Sequence, residues 1–420
     1  MRTHVIGAGV TGLAFAKAHG DAIVMEASSV IGGKAGSYAV NSSNGSFIFD
    51  TGGHWFHLES SPEIMHLLHG LPLIRHERQA HVLLNGRLYD FPIQASFDES
   101  PDPAFVKAVA QELQQSTAAG SKPSNYEEFL MASYGNTLYQ SFFRDYNRKM
   151  YGEMDLSRIE IGYFDTVRNV RLNRSSGYNR EFYYPAFDAG AAGIPRHLSK
   201  GLPVAMNTPV TAIDAGGKTL IANGKFVHWD KLVSTMPLPQ LVQRIVDVDP
   251  GILALSRELR SSQGFILNLG IKENGMTPYQ NTDWVYVPDI TKRFYRVGFY
   301  SHVQRQLAPE GCASMYVECS PLHFTCEKEA LELIPTIVDE LIELGFIRCR
   351  SDILVMMPIY LEHNYCLPNV NATSKICDYL RQHDIYSIGR YGSWHWSSQH
   401  EDMRQALDLA GQLSPSVTTA

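Results

Sequence analysis

The sequence predicts an α/β protein in which a parallel-sheet domain is interrupted by a helical insertion and by an antiparallel β-sheet domain. Three observations point to it. The chain opens on a strand, a glycine turn, a helix and a second strand; a long helical stretch begins near residue 100; short apolar strands then recur until a last strand–turn–helix. A chain of 420 residues is too long for one simple core, so two or three interleaved domains are expected.

The opening unit carries the most chemistry. Val5-Ile6-Gly7-Ala8-Gly9-Val10-Thr11-Gly12 reads as a strand running into a glycine turn, and Ala22-Ile23-Val24-Met25 as a second strand closed by Glu26. Gly7 allows the tight turn, Gly9 admits a pyrophosphate against the backbone, and Gly12 lets helix and strand pack closely. The helix that starts at Val10 and Thr11 turns unpaired N–H groups toward the phosphates. An acid about 20 residues past the first glycine suits a ribose hydroxyl and repels a 2′-phosphate, which favours FAD or NAD over NADP. The expected domain is therefore Rossmann-like. A second cluster, Gly32-Gly33-Lys34, is of the kind flavoproteins place where backbone skirts the cofactor, although alone it is also an ordinary turn.

Next, Phe47-Ile48-Phe49-Asp50 starts as a strand and breaks at Gly52-Gly53 before His54, where something approaches the backbone. Residues 73–94 alternate as a hairpin turning at Asn85-Gly86. Helical apolar spacing covers Ala104–Gln115 and Tyr126–Met150. Short strands return from Arg180 to Met236, including Lys231–Met236, and again at Phe265–Leu269, Trp284–Val287, Phe294–Tyr300 and Ala313–Cys319. A helix at Glu327–Leu344, a strand at Ile353–Met357, the run Ile385–Trp396 and a helix at Asp402–Leu413 complete the pattern. The resulting division gives 1–72, 178–238 and 378–414 to the FAD-binding domain. It gives 98–177 to the helical insertion, 73–97 and 239–377 to the antiparallel-sheet substrate domain, and 415–420 to a polar tail. A substrate is expected at the junction of these domains.

Bulk properties exclude several classes. Hydrophobic content of 44% and charged content of 19% are ordinary for a soluble protein. A net charge of −7 argues against a nucleic-acid surface. No apolar stretch approaches the roughly 18 residues of a membrane span, and a signal peptide is not expected, because the first apolar stretch is the glycine turn itself. Six cysteines without a CxxC pair read as free thiols in a reducing cytoplasm, with no metal site. There is no G-x-S-x-G elbow and no H-E-x-x-H, so a hydrolase is not expected.

Several segments are more specific: Gly52-Gly53-His54; Arg78 with Phe91-Pro92-Ile93-Gln94; Asp145-Tyr146-Asn147-Arg148-Lys149; and Lys231–Met236. To these add Trp284-Val285-Tyr286-Val287-Pro288, Phe294-Tyr295-Arg296 and Gly389-Arg390-Tyr391-Gly392-Ser393-Trp394. In order and approximate spacing, over most of the chain, they resemble the UDP-galactopyranose mutase family, closer to its eukaryotic type, a branch of the amine-oxidase-like flavoproteins. That resemblance implies an isomerase that interconverts pyranose and furanose forms of a nucleotide sugar with no net redox change, reduced flavin N5 being the nucleophile. It places Gly53 and His54 against the flavin, with Arg390 near it at the C-terminal turn. Arg296 would hold the substrate diphosphate, with Arg168 as a second arginine in a register shared with Arg171 and Arg174, and Tyr365 would contact the same group. Phe91, Ile93 and Gln94 would lie in the nucleotide pocket or the reductant pocket, Gln94 either bonding uracil or simply ending a strand. Trp284 and Tyr286 would neighbour the base or ribose, or equally be core, the substrate being a UDP-hexose on this reading. NAD(P)H is a candidate reductant and a homo-oligomer a candidate assembly.

The chain departs from the family in three places. Trp396 stands where the family has a second phosphate-contacting tyrosine, the turn Phe187–Gly193 lacks the fuller glycine set, and Ala80 replaces a hydroxyl residue of the reductant pocket. These departures bear on the sugar nucleotide and the reductant, and leave the flavin fold untouched. A true oxidoreductase of the amine or protoporphyrinogen oxidase type is the competing expectation, and a flavin-binding protein without turnover the third. Arg296 and Arg168 discriminate, because an oxidase needs an apolar channel and no diphosphate clamp.

Overall fold

The computed structural model describes residues 2–57, 61–116, 123–161, 180–273 and 279–413. Its parallel sheet has five strands in the order Ile385–Ser387, Lys231–Ser234, Thr3–Ile6, Ala22–Met25 and Val204–Ala205. The first strand of the chain is thus the central one, paired in parallel with Ala22–Met25 on one side and Lys231–Ser234 on the other. Helix Val10–His19 is buried over Val10–Ala16, because the sheet lies on one side of it and the last helix, Gln399–Leu413, packs on another. Gly20 ends it in the left-handed conformation, its N–H returning to the Ala16 carbonyl.

The second sheet has seven strands: Ile353–Leu361, Gly264–Lys272, Cys312–Cys319, Phe294–Phe299, Trp284–Tyr286, Ala80–Leu84 and Arg87–Asp90. It is mixed rather than antiparallel throughout, since Trp284–Tyr286 and Ala80–Leu84 run parallel. Ala80–Leu84 arrives from a distant part of the chain, and no hairpin forces its direction. Asn85 and Gly86, both at positive φ (51° and 75°), do close the expected hairpin. Leu73–Glu77 does not join it, and pairs instead with Glu181–Pro185.

Alternation sorts the faces of this sheet. Phe265, Leu267, Leu269, Met315 and Val317 enter one core, while Ile266, Tyr316 and Tyr286 enter the core shared with the helical insertion. A bulge between Phe294 and Arg296 disturbs the alternation. Tyr295 therefore joins Tyr286 and Tyr316 in the second core, and Arg296 also reaches that side to meet Glu318.

The expected helix Tyr126–Met150 is broken. Helix Tyr126–Leu138 contains Gly135 at φ 78°, a π turn covers Tyr139–Phe143, and Arg144–Tyr151 is a separate helix. Glu112 causes the break: its carboxylate accepts the Thr137 N–H (2.7 Å) and hydroxyl (2.9 Å), occupying the space a Cβ on residue 135 would need. Likewise Pro335 divides the expected Glu327–Leu344 helix into Glu327–Glu332 and Ile334–Glu343.

Candidate active site

The glycine turn forms one wall of a cleft of about 630 Å³. Gly7 sits at φ 103°, and a Cβ there would come within 2.3 Å of Thr235 Oγ1. On Gly12 a Cβ would strike the Gly7 carbonyl oxygen at 2.1 Å. Gly9 differs: its nearest neighbour would be the Gly32 carbonyl oxygen at 4.0 Å, so a side chain there would grow into the cleft itself. Glu26 ends its strand with its carboxylate fixed by the N–H groups of Ala8 (2.7 Å) and Ser28 (2.8 Å). Val10, Thr11, Gly32, Gly33, Lys34, His54 and Arg390 line the same cleft.

Two basic side chains, Lys34 and Arg390, stand together in the wall of this cleft. The Lys34 ammonium lies 5.4 Å from the centre of the Tyr391 ring, and burial together with Arg390 pushes it down to about 7. Arg390 donates through Nε to the Ser397 carbonyl (2.9 Å), which holds the guanidinium beside the turn Gly389–Gly392. His54 is pushed down to about 3, first by burial and then by Arg390, Lys34 and Arg296, so its imidazole is neutral. Its buried Nε2 has no hydrogen-bond partner among the described residues. Backbone that yields to a pyrophosphate, an acid for a ribose, two basic side chains and a buried ring nitrogen with no partner among the described residues together fit FAD.

Beyond His54, aromatic side chains of the core shared with the helical insertion wall in Arg296. Arg296 is clasped by Glu318 through two hydrogen bonds, Nε to Oε2 at 2.9 Å and Nη2 to Oε1 at 2.5 Å. Its guanidinium stands 6.0 Å from the Tyr286 ring centre. Phe91 packs on Tyr286 (4.6 Å between centroids), and Tyr146 meets Tyr286 edge-on at 5.2 Å. Tyr365 presents an edge to Trp396 at 5.7 Å, and burial raises its hydroxyl above the usual phenol range. Gly52 and Gly53 tie chamber to cleft: a Cβ on Gly52 would approach Glu318 Oε1 at 2.9 Å, and one on Gly53 would approach Tyr316 Oη at 2.4 Å.

The sequence-derived candidates distribute unevenly. Gly7, Gly9, Gly32, Gly33, Lys34, Glu26, His54 and Arg390 come together around the cleft. Arg296, Tyr286, Phe91 and Tyr365 share the chamber's aromatic core. Gln94 is buried in a short turn, not at a strand end, and its Oε1 has no partner among the described residues. Trp284 is a core residue stacked on Trp55 at 5.9 Å. Arg168, with Arg171 and Arg174, lies outside the described residues. Glu318 and Tyr316 escape sequence reasoning, and Tyr146, inside a segment it singles out, receives no role from it. A lone acid inside the apolar run Cys312–Cys319 was the signal for Glu318.

Residues 11–264, more than half of the chain, match the family described as flavin containing amine oxidoreductase. The chain belongs to that family. Its cofactor is accordingly FAD, and its fold is shared by solved structures. That of reduced UDP-galactopyranose mutase superposes with a TM-score of 0.84 at 23% identity, covering 98% of this chain and 93% of that one. A putative protoporphyrinogen oxidase from Exiguobacterium sp. 255-15 gives 0.72 at 14% identity, with 98% of each chain covered. Cyclohexylamine oxidase from Brevibacterium oxydans gives 0.68 at 14% identity, again over 98% of each chain. Among the described residues of this flavoprotein, no helix is long and apolar enough to cross a membrane.

Proposed function

We propose that this flavoprotein is a nucleotide-sugar mutase, acting on a UDP-hexose or a close analogue without net oxidation. The observation that carries the reading is a buried arginine walled by aromatic side chains beside the Gly53–His54 edge. Glu318 takes Nε and Nη2 of Arg296, which leaves Nη1 to turn toward a ligand. One fixed guanidinium nitrogen suits a diphosphate that must leave the sugar and be kept for return. Tyr365, held protonated by burial, supplies a hydroxyl donor to the same group. Phe91 and Tyr286 offer ring faces to a base, and Gln94 an unpartnered amide oxygen to its N–H. When bound and reduced, the flavin supplies the nucleophilic N5. Neutral His54 adds no charge beside it and offers Nε2 as a hydrogen-bonding group. NAD(P)H is the reductant proposed. The likeness to a reduced UDP-galactopyranose mutase supports the reading at the level of fold.

The test is anaerobic incubation with UDP-galactofuranose, with and without dithionite, followed by separation of the nucleotide sugars. Pyranose formed only in the reduced sample is the expected result. A fully reducible protein that converts no nucleotide sugar in a panel would overturn the reading. One observation favours an oxidase as the second reading: Glu318 cancels the charge of Arg296, so their part of the wall is neutral and otherwise aromatic.

A further inference from the structure

Lys149, in helix Arg144–Tyr151, is wholly buried. Its ammonium donates to the carbonyls of Val287 (2.9 Å) and Asp289 (2.6 Å), just past the strand Trp284–Tyr286. Its own carbonyl accepts from Ser320 Oγ (3.0 Å), just past the strand Cys312–Cys319. One residue thus ties the helix to the ends of two strands of the seven-stranded sheet.

That helix carries part of the aromatic wall around Arg296. Tyr146 meets Tyr286 edge-on at 5.2 Å and Tyr295 at 6.2 Å, and Tyr151 meets Tyr365 at 6.1 Å. Upstream lie the π turn Tyr139–Phe143 and the break at Gly135, so no continuous helix fixes its direction. Lysine is almost never fully buried unless paired, yet Lys149 makes no ion pair among the described residues. The neighbouring carboxylates are taken: Asp289 Oδ1 accepts from Thr291, and Glu340 from Arg293. Burying an ammonium on carbonyls alone costs stability, so what it gains is geometry. Asp289, Glu340, Asp145 and Cys319 face it and favour its charge, with His323 also near. Burial outweighs them and pushes the ammonium down to about 7. Hydrogen bonds from a charged donor are roughly twice as strong as neutral ones, so the tie weakens as that proton is lost.

We propose that Lys149 is a positioning residue for the Arg296 site: its ammonium sets the Tyr146 and Tyr286 rings beside the guanidinium, and so governs affinity for a nucleotide diphosphate. The role rests on Arg296 holding a nucleotide sugar. The experiment is calorimetric titration of the flavin-loaded protein with UDP-glucose, whose diphosphate keeps its charge between about pH 6 and about pH 8.5. Wild type is compared with Lys149→Met, and retained flavin absorbance reports that the variant is folded. Lys149→Gln, which keeps an uncharged donor, replaces the methionine variant if that one loses its flavin. Wild-type affinity should fall about threefold or more across this range, and the variant should bind about tenfold more weakly at the lower pH with no such fall. Wild-type affinity constant across the range, a fall that persists in the variant, or a folded variant binding as wild type does would overturn the positioning role alone. UDP-glucose that does not bind the wild-type protein would instead overturn the nucleotide-sugar reading, and this role with it.

Discussion

Arg296 and Glu318 show how one residue can be legible and its partner not. The arginine stood out in Phe294-Tyr295-Arg296, but the bulge that sets it on the chamber side cannot be read from spacing. Removing only one member leaves a buried, unpaired charge, which costs about 3–5 kcal/mol. Arg296→Ala should therefore lower the melting temperature as well as abolish turnover, while flavin absorbance is retained. The double variant Arg296→Met/Glu318→Leu should recover most of the stability and none of the turnover. Normal turnover in Arg296→Ala would remove the diphosphate clamp from the proposed mechanism. His54 makes a second residue-scale prediction. With its folded pKa depressed to about 3, the imidazole gains no proton between pH 5 and 8, so no inflection from it should appear there. NMR titration of the ring checks this directly, and a His54 resonance titrating near its ordinary value would contradict it.

Elements were legible where local pattern alone decides them, and misread where a distant side chain intervenes. The glycine turn and the Asn85-Gly86 hairpin need nothing beyond their own residues. The break at Gly135 depends on Glu112, from the preceding helix, and helical spacing continues across it undisturbed. Gly135→Ala should destabilise the protein by about 1–3 kcal/mol in chemical denaturation, since it meets both a positive φ and the Glu112 side chain. Asp50, ending the strand Gly45–Asp50, joins more elements than its sequence context suggests. Its carboxylate accepts from Ser37 Oγ (2.6 Å), the Tyr184 hydroxyl and the Ala191 N–H (3.1 Å), while its carbonyl accepts from Tyr300 Oη (2.9 Å). Burial pushes this carboxyl up to about 6. Because the folded value exceeds the unfolded one of about 3.9, its contribution is full below that value and is lost as pH rises through about 6. Melting temperatures across that window should fall less steeply in Asp50→Asn; an unchanged slope would assign the effect to Asp283 and Asp402, which are raised in the same way.

At the scale of the molecule, cofactor and fold are coupled. A side chain at Gly9 projects into the cleft, so Gly9→Val should purify without flavin and melt at the temperature of the stripped wild-type protein. A yellow, fully loaded variant would displace the pyrophosphate from that position. The parallel sheet was foreseeable from its separate strands, and the seven-stranded sheet is antiparallel as expected in every pairing but that of Trp284–Tyr286 with Ala80–Leu84. Strand direction is settled by which distant segments meet, and periodicity carries no record of that. The strand order has one more consequence, in time rather than space. Thr3–Ile6 leaves the ribosome first, yet its neighbour Lys231–Ser234 emerges more than two hundred residues later, and Ile385–Ser387 and Arg390 later still. At about 5–20 residues per second, the oldest strand waits tens of seconds for its sheet. Flavin capture is therefore a late event in biogenesis, and a nascent chain arrested before Gly389 should emerge colourless.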